Sequence, residues 1–268
     1  MPRSNIASII KKLDTKKVFV FDLDGTLAPT KSPLEPSMTK LFEQLLTVKK
    51  MAVIGGGKYE LFQRQLLDEL KPTPKKLFNN LFLFPTTATA FYRYNQGWKL
   101  MYKLNLSAAE AKKIKHTFEK VFTEIGYRHP KKIYGELIEN RGSQVSFSIY
   151  GQDIVAVLGK RGIRMKEEWK KKHTPLKMKI AKLMQKYLPE FAVRAAGHTT
   201  IDVTKKGINK AYGLRQIEKH IGVKIKDMVF IGDAIFPGGN DYAITKTNID
   251  YIPVKDPKET EEIIREIL

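Results

Sequence analysis

The sequence predicts an α/β fold: a doubly wound parallel-sheet core interrupted by an inserted α+β cap domain. Three observations lead there. Short β-branched and aromatic runs alternate with helical spacings near the start of the chain. The middle of the chain replaces that alternation with antiparallel signals. The first pattern then resumes before the chain ends.

Lys17 to Phe21 is a buried-strand run that ends at Asp22. Glu35 to Val48 has helical spacing of Met38, Leu41, Leu45 and Val48, with Pro36 suited to a first turn. Met51 to Ile54 reads as a second strand broken by Gly55-Gly56-Gly57, Tyr59 to Leu70 as a helix, and Leu81 to Phe84 as a third strand. Beyond Pro85, Ala88 to Tyr94 and Trp98 to Leu104 flank the turn Asn95-Gln96-Gly97 as a hairpin. Ser107 caps a helix running to about Ile125, Gln144 to Tyr150 alternates as a strand, and Leu176 to Tyr187 is helical. Phe191 to Ala196 and Thr200 to Val203 form a further strand pair. A helix from Gly207 to His220, a strand Met228 to Ile231 and a helix from about Pro257 restore the first pattern. The expected division is a core of residues 1–85 and 205–268, with an inserted α+β domain of residues 86–204.

Composition bounds the function. The 268 residues include 42% hydrophobic and 10% aromatic side chains, ordinary for a folded chain with a sizeable core. Cysteine is absent, which excludes disulfides and thiolate metal sites and fits a reducing cytoplasm. No apolar run approaches the roughly 20 residues that cross a bilayer, so no membrane role is expected. Met1 to Lys17 alternates apolar and basic residues and reads as a short surface helix, not a signal peptide. The net charge of +20 is spread along the chain, and its modest lysine clusters are not interleaved with aromatics. That pattern argues against nucleic acid as the main partner and suits either plain solvation or attraction of phosphorylated small molecules.

Chemistry concentrates in Phe21-Asp22-Leu23-Asp24-Gly25-Thr26. Ligands of open parallel sheets bind beyond the carboxyl ends of the strands, where both aspartates stand. One carboxylate can take a phosphoryl group as nucleophile; the other can serve as general acid and then base. A carboxylate attacking an anionic phosphate needs its charge neutralised by a hard cation with oxygen ligands, hence Mg²⁺. A turn with capping aspartates is the plainer alternative. A calcium loop fails for want of a Glu at its twelfth position.

The segment Phe21 to Leu27 resembles the first motif of the haloacid dehalogenase superfamily of phosphatases and phosphomutases. The superfamily's second motif matches Val53 to Gly57, its lysine motif Lys210, and its fourth motif Phe230 to Asp241, all in order. The resemblance implies that Lys210 pairs with Asp22 and the transferring oxygens, so that Asp22, Asp24 and Lys210 are catalytic. It implies Asp22, Asp24 and Asp233 as metal ligands. Asp241 would orient the metal or hold Lys210, Asn240 would donate to the phosphate, and Gly55, Gly56 and Gly57 would offer N–H groups to it.

The Gly-Asp-(four residues)-Gly-Gly-Asn-Asp-Tyr form of the fourth motif is similar to the phosphomannomutase branch. That branch implies that Thr200 and Asp202 contact a phosphorylated sugar, that Arg141 is the first of three phosphate-gripping cap arginines, and that cap strands pair into a homodimer. Two departures matter. Gln152 stands where the second arginine belongs and Gly159 where the third does, with Lys160, Arg161 and Arg164 close enough to compensate, and Gly57-Lys58 replaces a Ser-Asp pair. A mutase needs a strong second phosphate site, for which arginine's fork is suited. The expectation is therefore a cytoplasmic sugar-phosphate phosphatase, with a phosphohexomutase as the alternative and a nucleic-acid-binding protein as a remote one.

Overall fold

The computed structural model describes residues 13–268. Most of the expected helix over Met1 to Lys17 lies outside the described residues; Leu13–Thr15 is a single 3-10 turn. Eighteen strands and helices are named below in chain order. They are β1 (Val18–Asp22), α1 (Pro36–Val48), β2 (Lys50–Ile54), α2 (Tyr59–Phe62), β3 (Leu81–Phe84), β4 (Ala90–Tyr94) and β5 (Trp98–Lys103). Next come α3 (Ala108–Glu124), β6 (Ile138–Asn140), β7 (Gln144–Ser148), α4 (Ile154–Leu158), α5 (Lys160–Tyr187), β8 (Phe191–Arg194) and β9 (Thr200–Lys205). The last are α6 (Lys210–Ile221), β10 (Met228–Gly232), β11 (Asp250–Pro253) and α7 (Pro257–Ile267). Between α2 and β3 the chain makes a π-turn, Gln63–Leu67. The chain divides into two compact units, residues 1–103 with 209–268, and residues 104–208.

The first unit is built on a seven-stranded sheet ordered β11-β10-β1-β2-β3-β4-β5. β11, β10, β1, β2 and β3 run parallel, with Asp22 level with Ile54 at the end of the β1–β2 ladder. Alternate residues of β1 bury on opposite faces. Phe19 and Phe21 join Phe42, Leu45 and Ile264 from α1 and α7, while Val18 and Val20 join Leu214 and Ile217 from α6. Helical cover on both faces is why these strands read as unbroken apolar runs.

The hairpin β4–β5 corrects the expected boundary. It extends the core sheet, with Phe82 opposite Arg93 and Leu83 opposite Tyr92, and Phe91 stacks on Phe84 at 4.6 Å. Thr86, Thr87 and Ala88 adopt φ of 49°, 56° and 62°, a left-handed run that turns the chain back along β3. Strand signals show that a hairpin forms; they do not show which sheet it joins. The inserted unit therefore begins at Leu104 instead of residue 86.

The second unit carries an antiparallel sheet ordered β6-β7-β9-β8. Val145, Phe147, Ile201 and Val203 face Phe118, Val121, Ile180 and Met184 of α3 and α5. The intervening residues Gln144, Ser146, Asp202 and Thr204 are buried and polar. Ser107 caps α3 through a reciprocal bond pair with Glu110. α5 is longer than the expected Leu176 to Tyr187 helix. Pro175 bends it at His173 (φ −126°) without ending it, so helix continues on the N-terminal side back to Lys160.

Candidate active site

The parallel strands deliver carboxylates to one edge of the first unit. Asp22 is the last residue of β1, and Asp233 follows β10 directly. Asp241 closes the loop after Asp233, where its Oδ2 accepts from the Ala234 N–H at 3.3 Å. Lys210 is the first residue of α6, whose cap is Asn209, accepting from the Tyr212 N–H at 2.9 Å. A side chain at Gly213 would meet Ile54 at 2.9 Å and Ala88 at 3.1 Å, so glycine lets α6 lie close against β2. Lys210 Nζ then pairs with Asp22 Oδ1 and, at 2.5 Å, with Asp241 Oδ1. All three side chains are buried.

One ligand oxygen from each of Asp22, Asp233 and Asp241 lies within 4.8 Å of the other two. Three carboxylates against one ammonium leave excess negative charge. Burial raises the Asp22 carboxyl well above the ordinary range, with Lys210 opposing and Asp241 and Asp233 adding to the rise. Burial, then the charge of Asp241, pushes Asp233 up to about 6 against the pull of Lys210. Burial alone would depress Lys210, but Asp22 and Asp241 more than offset it and hold the ammonium protonated above the usual lysine range. Convergent hard oxygen donors with unbalanced charge fit a divalent cation such as Mg²⁺. Asp233 itself packs over Gly25, where a Cβ would stand 2.6 Å from its Oδ2 and where φ is +88°.

The Asp24 side chain lies outside the cluster formed by the Asp22, Asp233 and Asp241 carboxylates. The chain leaves β1 through a tight loop in which the Leu27 and Ala28 N–H groups both donate to Leu23 O at 3.0 Å. Asp24 Oδ1 instead accepts from the Lys31 N–H at 2.6 Å and from Gln65 Nε2 at 3.0 Å. Among the glycines after β2, Gly55 differs from expectation. The Gly55 N–H is spent on Phe84 O at 3.3 Å, while the Gly55 and Gly57 carbonyls accept from Thr87 and Thr86. Asn240 adjoins buried Asp241, and its side chain has no hydrogen-bond partner among the described residues.

Arg141, Gln152 and Asp202 are linked within the second unit. Arg141 Nε donates to Glu139 Oε2 at 2.8 Å and its Nη2 to Gln152 Oε1 at 2.9 Å. Gln152 Nε2 donates to Ser146 O at 3.0 Å, and the Ser146 hydroxyl to Asp202 Oδ1 at 2.6 Å. Thr200 opens the strand that carries Asp202. Gln65, Ser146 and Glu139 are hydrogen-bonding neighbours of the expected site residues that sequence reasoning missed. Their signal was weak: a glutamine in a helical run, a serine in an alternating strand, and a glutamate two residues before a singled-out arginine.

Among known proteins, the chain is 27% identical over 255 residues to a phosphomannomutase of Encephalitozoon cuniculi, spanning 92% of this chain and 91% of that one. It is 28% identical over 263 residues to a phosphomannomutase of Drosophila melanogaster, spanning 94% and 95%. The fold is similar to that of a Plasmodium falciparum IMP-nucleotidase, with a TM-score of 0.70 at 18% identity over 98% of this chain and 63% of that chain. It is also similar to a haloacid dehalogenase-like hydrolase of Bacteroides thetaiotaomicron, with a TM-score of 0.58 at 15% identity over 94% and 100%. The haloacid dehalogenase-like hydrolase family matches residues 19–246. With its ordered motifs and its buried Asp22–Lys210–Asp241 cluster, the chain belongs to that family of enzymes.

Proposed function

We propose that the protein is a Mg²⁺-dependent phosphotransferase that takes a phosphoryl group from a phosphorylated sugar onto Asp22, and that it is first of all a phosphatase. The observation that carries the reading is Lys210 held between Asp22 and Asp241 at the strand ends. Bound Mg²⁺ would be held by Asp22 and Asp233, with Asp241 beside them, and would neutralise phosphate charge.

The chain's own groups supply the rest. Asp22 is kept at a fixed position by Lys210, whose second bond to Asp241 leaves it little rotational freedom. Its free carboxylate oxygen attacks phosphorus, and Lys210 offers its positive charge to the oxygens that gain charge. Asp24, on a separate set of hydrogen bonds, protonates the leaving oxygen and then accepts a proton from the attacking water.

Hydrolysis is favoured over mutation of the sugar by the second unit. Arg141 already binds the Glu139 carboxylate, and Gln152, which cannot form a charged fork, holds its other end. A mutase remains the second reading because the relatives described above are phosphomannomutases over nearly their whole length. Purified protein is incubated with a panel of hexose 1- and 6-phosphates, with and without a hexose bisphosphate. Free phosphate that is lost with EDTA or in Asp22→Asn supports the phosphatase. Bisphosphate-dependent isomerisation without phosphate release supports the mutase. Neither product across the panel overturns the substrate class.

A further inference from the structure

Asp24 is served by a device separate from the carboxylate cluster. α2 runs into the π-turn Gln63–Leu67, in which the Asp68 N–H reaches back to Gln63 O at 2.8 Å. One extra residue in a helical turn shifts the side chains that follow, and such turns recur at functional sites. Here the turn carries Gln65, which is 1% exposed. Its Nε2 donates to Asp24 Oδ1 at 3.0 Å and to Ser32 O at 2.8 Å, while its backbone carbonyl accepts from the Leu34 N–H at 2.9 Å. Lys31, at φ +56°, directs its N–H to the same Asp24 oxygen.

The remaining polar atom of Gln65, Oε1, is buried with no hydrogen-bond partner among the described residues. A buried acceptor left unmade works against stability. Gln65 is thus useful here for its donors, and those donors go to Asp24 and to the loop that follows it. Both donors to Asp24 meet Oδ1; Oδ2 has no hydrogen bond among the described residues.

We propose that Gln65 is a positioning residue for proton transfer: with the Lys31 N–H it occupies Asp24 Oδ1, so that Oδ2 carries the proton exchanged with the substrate. The inference rests on the aspartyl-phosphate reading above. In the first step an Asp22 carboxylate oxygen bonds to phosphorus, the ester P–O bond breaks, and the leaving oxygen takes the proton from Asp24 Oδ2. In the second step water oxygen bonds to phosphorus, the bond to Asp22 breaks, and a water proton returns to Asp24 Oδ2.

The test uses leaving-group dependence, which a merely structural role would not move. p-Nitrophenolate departs without a proton, whereas a sugar alkoxide needs one. In Gln65→Leu, the single-turnover rate of hexose release from a hexose 6-phosphate falls by about 100-fold while the single-turnover rate of p-nitrophenolate release stays within about threefold of wild type, as expected for loss of general-acid assistance in the first step. Asp24→Asn shows at least as large a loss on the hexose phosphate, and adding Gln65→Leu to it causes no further loss there. Melting temperatures are measured alongside. If Gln65→Leu does not fold, Gln65→Glu, which keeps the side-chain volume but opposes Asp24 with charge, is held to the same split. Equal losses on both substrates, or none on either, overturn the role of Gln65 while the phosphatase reading stands. A wild-type protein that releases phosphate from neither substrate overturns both.

Discussion

The crowded carboxylates make stability depend on pH in a direction that Mg²⁺ should reverse. In the absence of metal, Asp233 titrates at about 6 in the folded protein against 3.8 for an ordinary aspartate. Between those values the folded state binds more protons than the unfolded state, so stability is full below the unfolded value and is lost as pH rises through the folded one. A shift of about two units corresponds to about 3 kcal/mol at neutral pH. Asp233→Asn cannot titrate and escapes that loss. Urea unfolding in EDTA, followed at Trp98 of the first unit in a Trp169→Phe background, should show wild type and Asp233→Asn converging near pH 4. By pH 7 Asp233→Asn should be the more stable by up to about 3 kcal/mol. Mg²⁺ at about 100 times its dissociation constant should return about 2.7 kcal/mol to wild type at pH 7 and much less to the variant, which lacks one ligand. The reasoning fails if the two proteins keep a constant difference from pH 4 to 7 in EDTA, or if Mg²⁺ stabilises both equally.

Three further outcomes follow from particular contacts. Asp22→Asn should abolish phosphate release while the protein stays folded, because Lys210 keeps Asp241; circular dichroism and a phosphate assay check both halves. Gly25→Ala should cost about 1–3 kcal/mol for a side chain forced into left-handed backbone, and should lose activity because the new Cβ displaces Asp233, as read by urea unfolding and by turnover. Lys177 donates to Gly197 O at 2.7 Å, and its burial, with neighbouring Lys170, lowers its pKa to about 8 against the pull of Asp202. Here the unfolded state binds more protons, so wild-type stability should rise from pH 8 to about 10 in unfolding curves, and Lys177→Met should remove that rise.

The core was legible because its strands are covered on both faces. Val18 to Phe21 and Met228 to Ile231 are then continuous apolar runs, and the residue where such a run stops marks the strand end and the site. β11 escaped notice: Asp250 to Pro253 is a four-residue edge strand with a proline and a lysine-paired aspartate, and carries little hydrophobic signal. Lys210, Asp233 and Asp241 were found through ordered motifs, since no periodicity says that a helix-first lysine will meet two strand-end acids. The side-chain placement of Asp24 was not legible. It depends on the loop conformation after Gly25 and on Gln65, 41 positions away, held by a π-turn that sequence spacing reads as ordinary helix.

Asp22 and Asp24 show how one motif yields two chemical groups. They are the same side chain two residues apart, and a continuous strand would aim both to one face. β1 ends at Asp22, however, and the loop through left-handed Gly25 turns the chain before Asp24 can follow it. Asp22 thereby enters a buried pair with Lys210 and shares its space with Asp233 and Asp241, a setting suited to a carboxylate that must attack a phosphate beside a cation. Asp24 stays half-buried, meets no ammonium among the described residues, and receives two neutral N–H donors on one oxygen, which on the proposed reading leaves the other for proton exchange. On the proposed reading, different surroundings for two identical acids divide nucleophile from acid/base catalyst in a single site. Gly25 is common to both: its backbone separates the two aspartates, and its missing side chain makes room for Asp233.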